Sequence, residues 1–380
     1  MDVRALADRF AENFKQFGEL GASFSVRHRG EEILSLAGGH IDREKTLPWT
    51  KETPVLIWSA TKGLASACLI HAALAHEIKL DREVVQIWPE YGENGKSATT
   101  LLHILTHQAG QPALRDSSES ILDHDAVTDQ LARQTPFWRP GDGHGYHART
   151  YGFLLDELVR RITGGTPLAT YFRTIFGEPL DLNLWIGVPE SIVNVVAPIF
   201  APRRPGVPDS EQSFYEALSD PGSLTRKAFS TPSGLYSPSQ MNDPKIRRHP
   251  LPSLGGIGTA EALARFYETL YTDEIFPAET IDQISETVCS GEDQVLRLQT
   301  AFAVGFMKDP LNGTTKIRSI FGPESNAFGQ PGSGGSLGFC DPKNGIAFAY
   351  VMNQMEPGVF PNAKSLRLVK NLYELVGVIG

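Results

Sequence analysis

Ser59-Ala60-Thr61-Lys62 opens an apolar run, Gly63-Leu64-Ala65-Ser66-Ala67-Cys68-Leu69-Ile70-His71-Ala72-Ala73-Leu74. The run predicts a helix that ends near Lys79-Leu80-Asp81. Residues three apart share a helix face, so Ser59 in the first turn sets its hydroxyl beside the Lys62 amine. That pairs a weak nucleophile with a base, as acyl transfer to serine requires. The helix N-terminus adds backbone N–H groups and a positive dipole end near a developing oxyanion. Serine and lysine are common, so the four letters need support from elsewhere in the chain.

The 380 residues suffice for one large domain or two ordinary ones with a sizeable core. A net charge of −9, with basic residues scattered, argues against nucleic acid or an anionic membrane as partner. Cys68, Cys289 and Cys340 are odd in number and widely spaced, giving neither a disulfide framework nor a metal pattern. The first residues lack an apolar signal-peptide core, and no run of 18 apolar residues is present. The expectation is a reduced, cytoplasmic chain with no membrane span.

Residues 3–17 have helical spacing, and 22–28 with 32–39 read as a β-hairpin. From 81 to 244 short helical segments alternate with Pro/Gly-rich loops, the clearest helix being 150–163, closed by Gly164-Gly165. Residues 201–253 read as a long surface excursion. A helix resumes at 259–267, strand-like runs cover 300–307, 335–340 and 345–352, and a last helix covers 363–375. This order predicts an α+β fold: an antiparallel sheet flanked by helices. Residues 1–80 and 245–380 would form an α/β domain from both chain ends, with a mainly helical domain, 81–244, inserted.

Other candidate sites are weaker. Gly334-Gly335-Ser336-Leu337-Gly338 fits the G-x-S-x-G nucleophile elbow, but a turn and a strand-like run follow Ser336 where the elbow needs a helix. No histidine lies beyond His249 to complete the triad order either. His103 with His107, and His144 with His147, have no obvious partner ligands, so structural or surface roles are expected and no metal is implied. Tyr146, in a loop just before the 150–163 helix, is either a reactive phenol or a half-buried structural tyrosine.

Together, Ser59-x-x-Lys62, Tyr146 and a Gly-rich strand at 329–338 resemble the class C β-lactamase-like serine hydrolases, which include D,D-peptidases and family VIII carboxylesterases. Leu101-Leu102-His103-Ile104-Leu105-Thr106-His107-Gln108-Ala109-Gly110, Trp138-Arg139-Pro140-Gly141 and Phe328-Gly329-Gln330-Pro331-Gly332-Ser333-Gly334-Gly335-Ser336 extend the likeness, the last towards the family's esterase-like branch. The resemblance covers roughly residues 10 to 375. It implies Ser59 as acylated nucleophile, Lys62 and Tyr146 sharing general-base and general-acid work, and the Ser59 and Ser333 N–H groups as oxyanion hole. Gln330, Gly332 and Gly334 would contact substrate, the Gly334-Gly335 segment letting the strand pass close to it, and Ser336 becomes a bystander.

Two positions depart from the β-lactamase pattern. Ala148 stands where those enzymes carry asparagine, and Gln330 where they carry lysine and related peptidases histidine. An amide supplies no positive charge for a β-lactam carboxylate, whereas a small neutral ester needs none. Trp58, Trp138, Phe137 and Phe328 either line an apolar pocket or belong to the core. The expectation is a serine carboxylesterase for short-chain esters, needing no cofactor and taking a small-molecule substrate. An acyltransferase, a weak β-lactamase or D-amino-acid peptidase, and a non-catalytic binding protein remain alternatives.

Overall fold

The computed structural model describes residues 3–116, 118–203, 206–272 and 274–378. Its frame is an eight-stranded antiparallel sheet drawn from both chain ends. The strand order is Glu31–Gly39, Gly21–His28, Ile346–Met352, Leu337–Asp341, Phe328–Pro331, Met307–Lys308, Gln299–Phe302 and Cys289–Glu292. The central strand Ile346–Met352 is apolar and buried at every residue, because both its faces are covered.

Residue size decides what covers each face. Phe24, Tyr350 and Leu337 stand opposite one another and so share a face. There Phe10 of the Arg4–Gln16 helix meets Phe24 at 5.1 Å between ring centres. Ser25, Ala349 and Gly338 share the other face. Their small side chains admit the Ala260–Glu268 helix so closely that a Cβ on Gly338 would lie 2.4 Å from the Tyr267 ring.

Next to this frame runs the Thr61–Ala75 helix, buried continuously from Thr61 to Ile70. It packs on the Tyr151–Thr163 helix. A smaller sheet, Val55–Trp58, Gly256–Gly258 and Leu184–Ile186, leads into it. One continuous hydrophobic core links the sheets and helices.

Several elements differ from the sequence expectation. The Thr61–Ala75 helix starts two residues after Ser59 and stops before 79–81. Glu77 takes φ +55°, and the N–H groups of Glu77 and Ile78 turn back to the carbonyls of Leu74 and Ala73. This is a Schellman stop built without glycine. The 300–307 run is two strands, because Gly305, at φ +82° and packed against Ser66, turns the chain. The 329–338 segment is likewise a hairpin: Phe328–Pro331, a turn at Ser333–Gly335, then Leu337–Asp341. Residues 201–253 are no mere surface excursion. They hold the helices Gln212–Ser219, Leu224–Ser230 and Pro244–Arg248, and bury Phe214, Ala228 and Met241.

Gly338→Ala should lower the unfolding free energy by about 1–3 kcal/mol, since the Tyr267 ring is enclosed and has to shift. Urea denaturation monitored by circular dichroism checks this.

Candidate active site

Ser59 sits in a tight turn between the Val55–Trp58 strand and the Thr61–Ala75 helix. Trp58 bends the chain with a φ of +50°, a left-handed conformation that costs a non-glycine residue about 1–3 kcal/mol. Thr61 holds the bend: its hydroxyl donates to the Trp58 carbonyl and accepts from the Gly256 N–H at 2.7 Å. From the other side the Ser336 hydroxyl donates to the Ile57 carbonyl at 2.8 Å. The two backbones approach so closely that a Cβ on Gly332 would lie 2.2 Å from that carbonyl oxygen. Ser336 is thus fully buried, followed by a strand, and spent on the turn that carries Ser59.

One helical turn on, the Lys62 amine is completely buried, 3.4 Å from Ser59 Oγ. It donates to the carbonyls of Ala148 and Ser253, both at 2.8 Å. Among the described residues no carboxylate pairs with it. Burial therefore pushes its pKa well below the usual lysine value, since nothing offsets the desolvation of an ammonium. Ser253 is itself fixed: its hydroxyl accepts from the Gly152 N–H at 2.6 Å and donates to the Arg149 carbonyl at 2.7 Å.

Tyr146 comes from the loop before the Tyr151–Thr163 helix. Its ring centre lies 4.8 Å from Lys62 Nζ and 4.9 Å from the His107 ring. The Gln330 amide donates to its hydroxyl at 3.2 Å. Burial pushes the phenol above the usual tyrosine value, while hydrogen bonding with Ser59 and Gln330 pulls the other way. The phenol stays protonated at neutral pH.

The four histidines are committed to local bonds. His103 closes a capping box with Thr100. The His107 ring accepts from the His147 N–H at 3.1 Å. The His147 ring spans the Gly145 carbonyl and the Gln111 N–H, and burial holds its pKa down to about 3. His144 meets the Thr300 hydroxyl at 2.8 Å.

Ser59, Tyr146, Gln330 and Ser333 line one small pocket of about 50 Å³, with Phe229, Leu296, Met307, Pro331, Val359 and Phe360. This wall carries no charged side chain. Gly332, Gly334, Trp58 and Trp138 do not line it. The missing Cβ of Gly332 faces Ile57, that of Gly334 faces Met355, and Trp138 packs behind the tyrosine loop against Gly145 and His147. Phe328 packs in the core against Phe306, and Phe137 lies under Arg115. Sequence reasoning missed the apolar wall, because its members come from five separate segments. It also missed Ser253, which acts through a carbonyl that any residue would supply.

A serine in the turn before a helix, beside a buried amine and a buried phenol on a sheet made from both chain ends, is the arrangement of an α+β hydrolase. The chain belongs to the β-lactamase family, whose model matches residues 10–371. It is 29% identical over 372 residues to the esterase/β-lactamase LipL of Mycobacterium tuberculosis, covering 93% of this chain and 80% of that protein. Among solved structures it resembles a penicillin-binding protein homologue from Caulobacter crescentus, with TM-score 0.85, 31% identity and 98% of both chains covered. It also resembles a family VIII carboxylesterase, with TM-score 0.85, 30% identity, and 97% and 96% of the two chains covered. The family is one of β-lactamase-fold hydrolases with esterase members. Among the described residues no helix is long and apolar enough to cross a membrane.

Ser336→Ala should lose about 1 kcal/mol of stability with its hydrogen bond to Ile57, yet keep labelling by a serine-directed fluorophosphonate. Ser59→Ala should abolish that labelling. Mass spectrometry of the labelled peptide reads both.

Proposed function

We propose that the protein is a serine carboxylesterase for small, neutral acyl esters, acting through an acyl-Ser59 intermediate. One observation carries the reading: the Lys62 amine is buried without a counter-charge and held by two carbonyls beside Ser59. A neutral amine has two N–H groups and one lone pair. The carbonyls of Ala148 and Ser253 occupy both N–H groups, leaving the lone pair for the Ser59 hydroxyl.

In acylation, Ser59 Oγ attacks the ester carbonyl carbon as Lys62 Nζ takes its proton. The N–H groups of Ser59 and Ser333 receive the developing oxyanion. Collapse breaks the bond to the alcohol oxygen, which takes the proton of the Tyr146 phenol, and the Lys62 ammonium then restores that proton. Water repeats the sequence on the acyl group: Lys62 accepts its proton, the acid leaves, and Ser59 regains a hydrogen. The pocket supports a short acyl chain, having room for about three or four water-sized groups. Gln330 supports a neutral substrate, because its amide offers a carboxylate no charge.

Hydrolysis of p-nitrophenyl acetate, butyrate and octanoate, with nitrocefin alongside, tests this. Acetate and butyrate should turn over, octanoate about tenfold or more slower, and nitrocefin least. Ser59→Ala should abolish ester turnover. Turnover that survives in that variant, or nitrocefin cleaved as fast as acetate, would sink the reading.

The proton inventory fixes the pH dependence. Only unprotonated Lys62 is a base, so kcat/KM should rise with pH through one ionisation well below the usual lysine value of about 10.5. Tyr146 must keep its proton, and its raised pKa puts the alkaline limb above pH 10. Lys62→Met should lower kcat about 10²–10⁴-fold and remove the acid limb. Stopped-flow rates from pH 5 to 10.5 check this.

A further inference from the structure

Asp293 is fully buried in the loop between the strands Cys289–Glu292 and Gln299–Phe302, outside the catalytic group. Its Oδ1 accepts three backbone N–H groups: Val295 at 2.9 Å, Leu296 at 2.7 Å and Tyr146 at 3.0 Å. Its Oδ2 accepts from the Thr300 hydroxyl at 3.2 Å, and that hydroxyl meets His144 Nε2 at 2.8 Å. The Gln294 N–H donates to the His144 carbonyl at 3.0 Å. A turn-forming aspartate accounts for the bonds to Val295 and Leu296. It does not account for Tyr146, which lies 147 residues away in sequence.

We propose that Asp293 is a positioning residue: one carboxylate oxygen holds the backbone of the catalytic phenol in register with the Leu296 wall of the acyl pocket, so Asp293 sets both leaving-group protonation and acyl-chain selectivity. The inference rests on the reading of Tyr146 as general acid. Tyr146 and Leu296 both face the pocket with Ser59, and both hang from Oδ1. Through Thr300 and His144 the same side chain also grips the loop two residues before Tyr146. Removing the oxygen leaves three buried N–H groups without their acceptor and frees the phenol to drift from Ser59. A displacement of about 1 Å costs about 10²-fold in rate. The role needs an acceptor rather than a negative charge. Burial pushes the carboxyl above the usual aspartate range, which agrees with a site that tolerates the neutral form.

The test compares wild type, Asp293→Ala, Asp293→Asn and Tyr146→Phe. Each is measured for its denaturation midpoint, its fraction of sites titrated by fluorophosphonate, and kcat and KM per titrated site on ethyl acetate and ethyl butyrate by pH-stat, because an alkoxide, unlike p-nitrophenolate, needs a proton to leave. Asp293→Ala should lose about 10²-fold in kcat per titrated site, change KM for acetate little, and shift selectivity towards butyrate as the Leu296 wall loosens. Asp293→Asn should recover kcat to within about tenfold, because its carbonyl oxygen can take the same three N–H groups while its NH₂ donates to Thr300. If Asp293→Ala does not fold, Asp293→Ser, whose hydroxyl is too short to reach all three donors, takes its place under the same criteria. The proposal is overturned if the variant loses only stability and titratable fraction, with kcat per site and the acetate-to-butyrate ratio unchanged. It is equally overturned if folded Asp293→Asn is as impaired as Asp293→Ala. Wild-type kcat in Tyr146→Phe would instead remove the general-acid reading beneath it, a separate result.

Discussion

An amine buried without a counter-charge is the constraint on which the rest of the molecule depends. The Lys62 side chain reaches Nζ inside the core, and its two partners are backbone carbonyls from residues 148 and 253. Three remote segments must therefore converge: the helix that carries lysine, the loop that carries Tyr146 and the stretch before the Gly256–Gly258 strand. A carboxylate in place of either carbonyl would favour the ammonium form and raise the amine's pKa. Two carbonyls take its N–H groups without adding the charge that would favour the ammonium form. Between the lowered pKa of Lys62 and the ordinary value near 10.5, the unfolded chain binds more protons at this group than the folded one. Its contribution to stability therefore rises with pH across that window and falls as pH drops through it.

Around the amine, strain is held by hydrogen bonds from several directions. Trp58 is forced left-handed so that Ser59 can face the pocket at the mouth of a helix. Thr61 ties that bend to Gly256, and Ser336 ties the preceding carbonyl to the hairpin that bears Gln330 and Ser333. The G-x-S-x-G serine is thus a rivet. It locks the hairpin carrying Ser333 to the turn carrying Ser59, and Gly332 allows the contact because no side chain intervenes.

What the sequence made legible follows from physical range. Ser59 and Lys62 are one helical turn apart, and local spacing suffices to pair them. The hairpin at 22–39, the helix at 151–163 and the helix at 363–375 likewise declare themselves by periodicity and flanking turns. Tyr146 needed the joint pattern, because a lone tyrosine in a loop carries no signal. The helix end at Ala75 was hidden because Glu77 does the work usually given to glycine. The 300–307 run reads as one strand because a buried turn can be as apolar as a strand. Ser253 and Asp293 contribute a carbonyl and an acceptor oxygen to partners 191 and 147 residues away. No local pattern encodes such a contact. Phe229, Leu296, Met307 and Phe360 were illegible for the same reason.

In the proposed reading, the neutrality of the pocket favours an ester over a β-lactam. A β-lactam presents a carboxylate close to its reacting carbonyl, and that carboxylate must shed water to reach Ser59. Burying a charge without a partner is far costlier than burying a neutral ester of similar size. Gln330 is already committed, its amide nitrogen donating to Tyr146 and to the Pro331 carbonyl. An amide does keep the phenol oriented without drawing off its proton. In the proposed mechanism Tyr146 must be an acid when the alcohol leaves, so a neutral donor at 330 serves that step better than a cation, which would favour the phenolate. On that reading, the residue at 330 that offers a β-lactam carboxylate no charge is also the one that suits an ester-cleaving site.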